Sequence, residues 1–137
     1  AKGIDLASLE PDDLNDASPF GRGFAYSGGV TAAIAQALKE KGITDEEFQF
    51  KAVPCSGIDE CKRALMKAKA GTLEGNFIEG MACPGGCVNG PACILRSPNN
   101  KSYVESHLAQ AALKSIGDAV TLADKDGVFE SRTNNTD

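Results

Sequence analysis

A chain of 137 residues, 42% of them hydrophobic, is long enough for one domain with a modest core. Nineteen acidic against fourteen basic residues leave a net charge of -5, which disfavours a nucleic-acid backbone as partner because phosphates are held by clustered positive charge. There is no run of about eighteen apolar residues to span a bilayer and no leader-like start, so a membrane is not expected and a soluble, cytoplasmic protein is.

In chain order, the first twenty residues carry five acids and two prolines without a sustained period. They predict a loop or arm, in which GIDLASL (residues 3–9) alone has the pattern to extend as a strand. A short apolar run then ends at Ser27-Gly28-Gly29, after which Val30, Ile34, Ala37 and Leu38 recur at helical spacing until Gly42 closes the helix. FQFKAVPCS (48–56) has the aromatic and branched residues of a strand. GIDECKRALMKAKAG (57–71) predicts a helix, with Asp59 and Glu60 in its first turn and lysines towards its end, as the helix dipole favours. GNFIEGMA (75–82) predicts a second short strand. Beyond it, Val104, Leu108, Ala111, Ala112 and Leu113 support one helix across residues 100–118. The division expected is a lobe over residues 1–117 and a polar C-terminal tail over 118–137.

Strand, helix and strand in succession predict a βαβ unit: residues 50–55 and 76–80 as parallel neighbours, joined by a helix over 58–70 through a right-handed crossover. The fold class expected is α/β, a parallel-sheet βαβ lobe flanked by helices. Ligands of such sheets gather beyond the carboxyl ends of the strands, where Cys55 and the loop of Cys83 are both expected to emerge.

That loop, MACPGGCVNGPAC (81–93), holds three of the five cysteines. An odd cysteine count with no secretory signal argues against a fully paired extracellular disulfide framework. Cys83 and Cys87 stand in C-x-x-x-C spacing, with Pro84 blocking helical continuation and Gly85-Gly86 letting the backbone curl around a bulky ligand. Iron–sulfur clusters are usually held by four thiolates, with freed amides hydrogen-bonding to the cluster sulfurs. Structural zinc also takes four ligands, but the short C-x-x-C pairs of zinc ribbons are absent and His107 falls in a predicted helix. On the residues alone an iron–sulfur site and a buried turn with inert thiols both stay open.

FIEGMACPGGCVNG resembles the last cysteine motif of the FeFe (iron-only) hydrogenases. GFAYSGGVTAAIAQAL is similar to that family's glycine-rich approach to a helix, and FKAVPCSGIDECKRALMKAKAG to its strand and helix before the final motif. The resemblance covers about residues 3 to 115. It implies half of a two-lobed hydrogenase catalytic domain, the C-terminal lobe, with the H-cluster between the lobes: a 4Fe-4S cube joined through one cysteine sulfur to a diiron subcluster. Carried over by position, Cys83 is implied to ligate the cube, Cys87 to ligate it and bridge to the diiron unit, and Met81 to line the diiron pocket. The implied reaction is reversible reduction of protons to dihydrogen. The family's two earlier cysteine motifs and a ferredoxin-like cysteine run are not in this sequence, so the expected partners are an N-terminal lobe and a ferredoxin-type electron carrier. The chain by itself is expected to be inactive, with residues 81 to 95 metal-free and either disordered, oxidised or packed on a neighbour. Apolar surface around Met81 and Val88 is expected to favour self-association. Downstream the sequence departs from the better-known enzymes at NGPACILRSP, in the manner of a less characterised branch. A sensing or cluster-assembly role without hydrogen turnover is therefore an alternative, and a metal-free interaction domain another.

Other residues carry narrower expectations. Ser27 and Gly28 either offer amide donors to the cluster and its cyanides or simply begin a helix. Glu79 either turns a carboxylate inward to tune the site or lies on the surface. Cys55, Cys61 and Cys93 are expected to be structural, and His107 to lie on a helix surface. Lys62, Arg63, Lys67 and Lys69 are expected on a solvated helix face, where they would also suit an acidic ferredoxin.

Overall fold

A computed structural model describes residues 4–11 and 15–124 of the chain. Five helices and two strands follow in the order α1 (Pro19–Arg22), α2 (Gly29–Glu40), β1 (Ala52–Ser56), α3 (Ile58–Lys69), β2 (Phe77–Met81), α4 (Asn100–Ala109) and α5 (Ile116–Ala123), with single 3-10 turns at Leu6–Ser8, Gly23–Ala25 and Cys87–Asn89. The class is α/β, as the period change from helix to strand requires.

The two strands pair in parallel, Ala52 opposite Phe77 and Ser56 opposite Met81. Their register is fixed at the amino end. The Asn76 side chain accepts the Lys51 amide at 2.9 Å and donates to the Gln49 carbonyl at 2.9 Å, so one residue satisfies two backbone groups of the incoming strand. Phe50 and Phe77 add a tilted ring contact at 5.7 Å beside it. Because side chains alternate along a strand, this register turns Cys55 and Gly80 to one face and Pro54, Glu79, Ser56 and Met81 to the other. Helix α3 packs on both strands, with its own Ala64 buried.

The remaining helices form a second layer: α1 packs on α2 and α4, and α5 on α2. Ser18 caps α1 by accepting the Gly21 amide, with Pro19 in the first turn. Glu40, near the end of α2, receives the amides of Ile116 and Gly117 at the start of α5. Those donors, with the Ile116 amide foremost and the Gln36 side chain next, hold its carboxyl below the ordinary range. Arg22 donates to the His107 carbonyl at 2.8 Å, tying α1 to the end of α4, and His107 is exposed as expected.

Three expectations are corrected. GIDLASL forms no strand; Asp5 accepts the Ala7 amide and starts a 3-10 turn instead. The helix expected over residues 100–118 is two helices, because Ser115 caps a new one by accepting the Asp118 amide at 3.0 Å. Helix α5 also runs across the division drawn at residue 117 and occupies the first part of the expected tail. The rest of that tail, residues 125–137, lies outside the described residues.

The core is made of small side chains. Its buried hydrophobic members among the described residues are Ala33, Cys55, Ala64 and Ala111. Close backbone approach replaces bulk at the start of α2, where a Cβ on Gly29 would lie 1.8 Å from the Gly23 carbonyl oxygen. Alanine is worth about 1 kcal/mol over glycine within a helix. The overlap here costs more, so Gly29→Ala is expected to lower stability by about 2 kcal/mol net, measured by urea unfolding.

Candidate functional site

The site is the turn that leaves β2 at its carboxyl end, residues 81–95. Met81 is the last strand residue and half-buried. Cys83 is half-buried and Cys87, which opens the Cys87–Asn89 turn, is exposed. All five cysteines carry free thiols.

Three ties hold the turn, and none uses a cysteine side chain. The Gly85 amide donates to the Ser56 hydroxyl at 2.7 Å, joining the turn to the end of β1. The Ser27 amide donates to the Gly85 carbonyl at 3.1 Å, joining it to the approach to α2. The Asn100 side chain donates to the Val88 and Leu95 carbonyls, each at 2.9 Å, closing the far side. Gly86 makes this docking possible. Its φ is 98°, and a Cβ there would lie 2.6 Å from the Tyr26 Cα. Ser56 and Asn100 were not singled out in the sequence, since hydrogen-bonding residues 29 and 12 positions from their partners leave no local pattern.

Glu79 settles what the helix start does. The carboxylate is 4% exposed and receives the amides of Gly28 at 2.9 Å, Val30 at 3.3 Å and Thr31 at 3.0 Å, together with the Thr31 hydroxyl at 2.5 Å. Burial pushes its pKa up, but the Thr31 hydroxyl and the three amides outweigh burial and hold it below the ordinary 4.5. The structure thus brings Ser27 and Gly28 beside the cysteine turn but directs their amides inward, to Gly85 and Glu79, rather than towards an external anion. The physical reason is that a helix start binds whichever anion is nearest, and here the chain supplies its own.

Cys93 folds back on the same turn, its thiol donating to the Val88 carbonyl at 2.8 Å. Cys55 does not emerge there: it lies within β1, 3% exposed, on the face covered by α3. Nor do Met81 and Val88 form the exposed apolar surface, since both are half-buried. Ile94 and Leu95, just past Cys93, are exposed instead.

Among the described residues no group of three or more cysteine, histidine, aspartate or glutamate side chains is arranged to hold a metal ion. No helix among them is long and apolar enough to cross a membrane.

Residues 1–91 match the family described as iron only hydrogenase large subunit, C-terminal domain. The chain belongs to that family. The match ends at Pro91, past the Cys83–Cys87 pair and inside the NGPACILRSP stretch of residues 89–98. A search among curated proteins finds no match.

The Glu79 contacts lead to a pH effect of definite sign. The folded protein binds the Glu79 proton more weakly than the unfolded chain, so its contribution is present above pH 4.5 and is lost as pH falls through the lowered folded value. Urea midpoints taken from about pH 7 to about pH 3 are expected to fall on the acid side, and Glu79→Gln to flatten that fall. At neutral pH Glu79→Ala is expected to cost about 3 kcal/mol, because three amides and a hydroxyl lose a charged acceptor.

Proposed function

We propose that the turn from Met81 to Cys93 is one half of the cradle for a hydrogenase H-cluster, a 4Fe-4S cube with a diiron subcluster, and that the complete protein reversibly reduces protons to dihydrogen. The observation that carries the reading is a C-x-x-x-C turn held rigid by Ser56, Asn100 and the Ser27 amide, which leaves both its thiols free for a metal. The donor chemistry fits: two soft thiolates in a glycine-rich turn suit an iron–sulfur cluster, and two such ligands are half the usual number. When bound, the cluster would supply the electrons and the redox-active metal for the reduction of protons.

The chain's own residues have positioning and shielding roles. Cys83 and Cys87 would hold the cluster, and Cys87, the more exposed of the two, would be the thiolate shared with the diiron subcluster. Met81 follows Glu79 by two residues on the same strand face, so its side chain lines the inner wall of the site. Glu79 keeps the α2 start seated against that wall. The Ser27 amide supports the turn directly and the Gly28 amide does so through Glu79. The remaining two cube ligands come from an N-terminal lobe, which would also cover Ile94 and Leu95; without it, those two side chains favour self-association. The electron carrier is a ferredoxin-type protein, and the exposed cations of α3 suit its acidic surface.

A second reading has its own observation. The family match stops before Cys93, whose thiol is engaged with the turn itself, so the segment beyond residue 91 is specialised in this chain. That favours a sensing or cluster-assembly relative over a high-turnover enzyme.

The test uses the chain together with its N-terminal lobe, loaded anaerobically. Cys87→Ser is expected to abolish hydrogen turnover and the infrared bands of iron-bound carbon monoxide and cyanide, since a hydroxyl is a poor ligand for a soft metal site. Cys93→Ser is expected to keep the bands. Bands in both variants would remove Cys87 from the ligand set, and bands without hydrogen turnover in the unsubstituted protein would select the sensing reading.

A further inference from the structure

Three of the five cysteines are not cluster ligands in the proposed reading, and the fold brings two of them, Cys55 and Cys61, together. Cys55 and Gly80 are register partners, so their side-chain positions share the face of the sheet that α3 covers. On that face the Cys61 sulfur stands 3.3 Å from where a Cβ on Gly80 would lie, in a space that exists because residue 80 has no side chain. Cys61 is therefore beside Cys55, across the space that Gly80 leaves open. Each has a further carbonyl neighbour, Cys55 that of Val53 at 3.6 Å and Cys61 that of Met81 at 3.8 Å.

The pair is reachable. Cys61 is half-buried in α3. Cys55, though nearly enclosed, borders an open cavity of about 270 Å³ whose polar rim includes Glu60, Arg63 and Lys67. A small polar oxidant fits beside Cys55 there; burial first, then Cys61 and Glu60, push the Cys55 thiol above its ordinary value, with Arg63 opposing them, which suits Cys55 to the second, resolving position.

We propose that Cys55 and Cys61 form a peroxide-reactive dithiol that closes to a disulfide beneath the strand carrying the cluster turn. Cys61, the more exposed sulfur, attacks one oxygen of hydrogen peroxide as thiolate. The O–O bond breaks, the other oxygen leaves as hydroxide that takes up the proton given up by the Cys61 thiol and so becomes water, and Cys61 becomes a sulfenic acid. The Cys55 sulfur then attacks the Cys61 sulfur, the S–O bond breaks, and hydroxide leaves with the Cys55 proton as a second water. Two thiols and one peroxide give one disulfide and two waters; the sulfurs lose two electrons and the peroxide gains them.

The position gives the reaction a consequence. The Met81 carbonyl that receives the Cys61 thiol also accepts the Gly57 amide at 2.7 Å, so the thiols sit where β2 ends, two residues before Cys83. Oxidation removes the Cys61 donor from that carbonyl and ties α3 to β1. The state of the dithiol is thereby passed to the base of the turn.

The test is independent of cluster loading. The full chain, without metal, is treated with stoichiometric hydrogen peroxide, its remaining thiols are alkylated under denaturing conditions, and it is cleaved after lysine and arginine and before aspartate. This leaves Cys55 on residues 52–58 and Cys61 on residues 59–62, separate from the other three cysteines. The expected product is these two peptides joined, lighter by two hydrogens than the sum of their reduced masses and separated by dithiothreitol. A triple Cys83→Ser, Cys87→Ser, Cys93→Ser chain, checked for folding by circular dichroism, is expected to give the same product. In Cys55→Ser the Cys61 sulfenic acid is expected to accumulate and be trapped by dimedone. Two alkylated thiols at these positions, a linkage of either to Cys83, Cys87 or Cys93, or Cys61 carried to sulfinic acid with Cys55 still reduced would each overturn the proposal.

Discussion

The Glu79 carboxylate, buried against the start of α2, is the contact on which the geometry of the rest depends. It lies on β2, two residues before Met81, and its partners lie on a helix some fifty residues earlier in the chain. Removing a carboxylate from water costs several kcal/mol, and a helix dipole returns no more than about 2 kcal/mol. The balance is tipped by the hydrogen bonds themselves, each worth about 1.5–3 kcal/mol when one partner is charged. The lowered pKa records which side wins. Sheet and helical layer are thereby joined by a directional contact, so α2 has a fixed orientation at the cysteine turn.

Such contacts matter here because the apolar core is thin. Fully burying a large aliphatic or aromatic side chain contributes about 1.5–3 kcal/mol, yet the buried hydrophobic residues described are alanines and one cysteine, while Ile58, Leu65, Met66, Ile94 and Leu95 remain exposed. Area alone therefore specifies little of the arrangement. Long-range polar ties take that role: Glu79 to α2, Glu40 to α5, Arg22 to α4, Asn100 to the cysteine turn. Each fixes a direction as well as a distance, which is what a turn must have if two thiols are to meet a preformed cluster.

The βαβ unit was legible because its period changes from two to helical and back within thirty residues, and the observed strands begin and end within two residues of those expected. The caps of α1 and α5 were not read, because local patterns masked them: Ser18-Pro19 lies in an acidic stretch without period, and Ser115 follows an alanine-rich run that continues a helix by propensity. The Cys83–Cys87 pair was visible from spacing and glycine content. Its supports Ser56 and Asn100 were not, since they act across the fold and have the composition of surface residues, and Glu79 stayed open between an inward and a surface position because its partners lie some fifty residues away. The same holds for the meeting of Cys55 and Cys61, which depends on Gly80, a position that sequence alone marks only as weak strand.

A five-residue strand thus presents two chemistries to two neighbours. Glu79 and Met81 face α2 and the cluster turn, while Gly80 between them faces α3 and admits the Cys61 sulfur. A slip of one residue would exchange the faces, placing the Glu79 carboxylate under α3 and leaving the α2 amides opposite a glycine. Little in the short strands themselves forbids that slip, because Cys55 is the one apolar residue of the two strands that is fully buried. The Asn76 clamp and the Phe50–Phe77 contact at the opposite end of the sheet do. The geometry of the cysteine turn is therefore set from the far end of the strand that carries it: Asn76 fixes the register, the register aims Glu79, and Glu79 seats the helix start against which Gly86 docks.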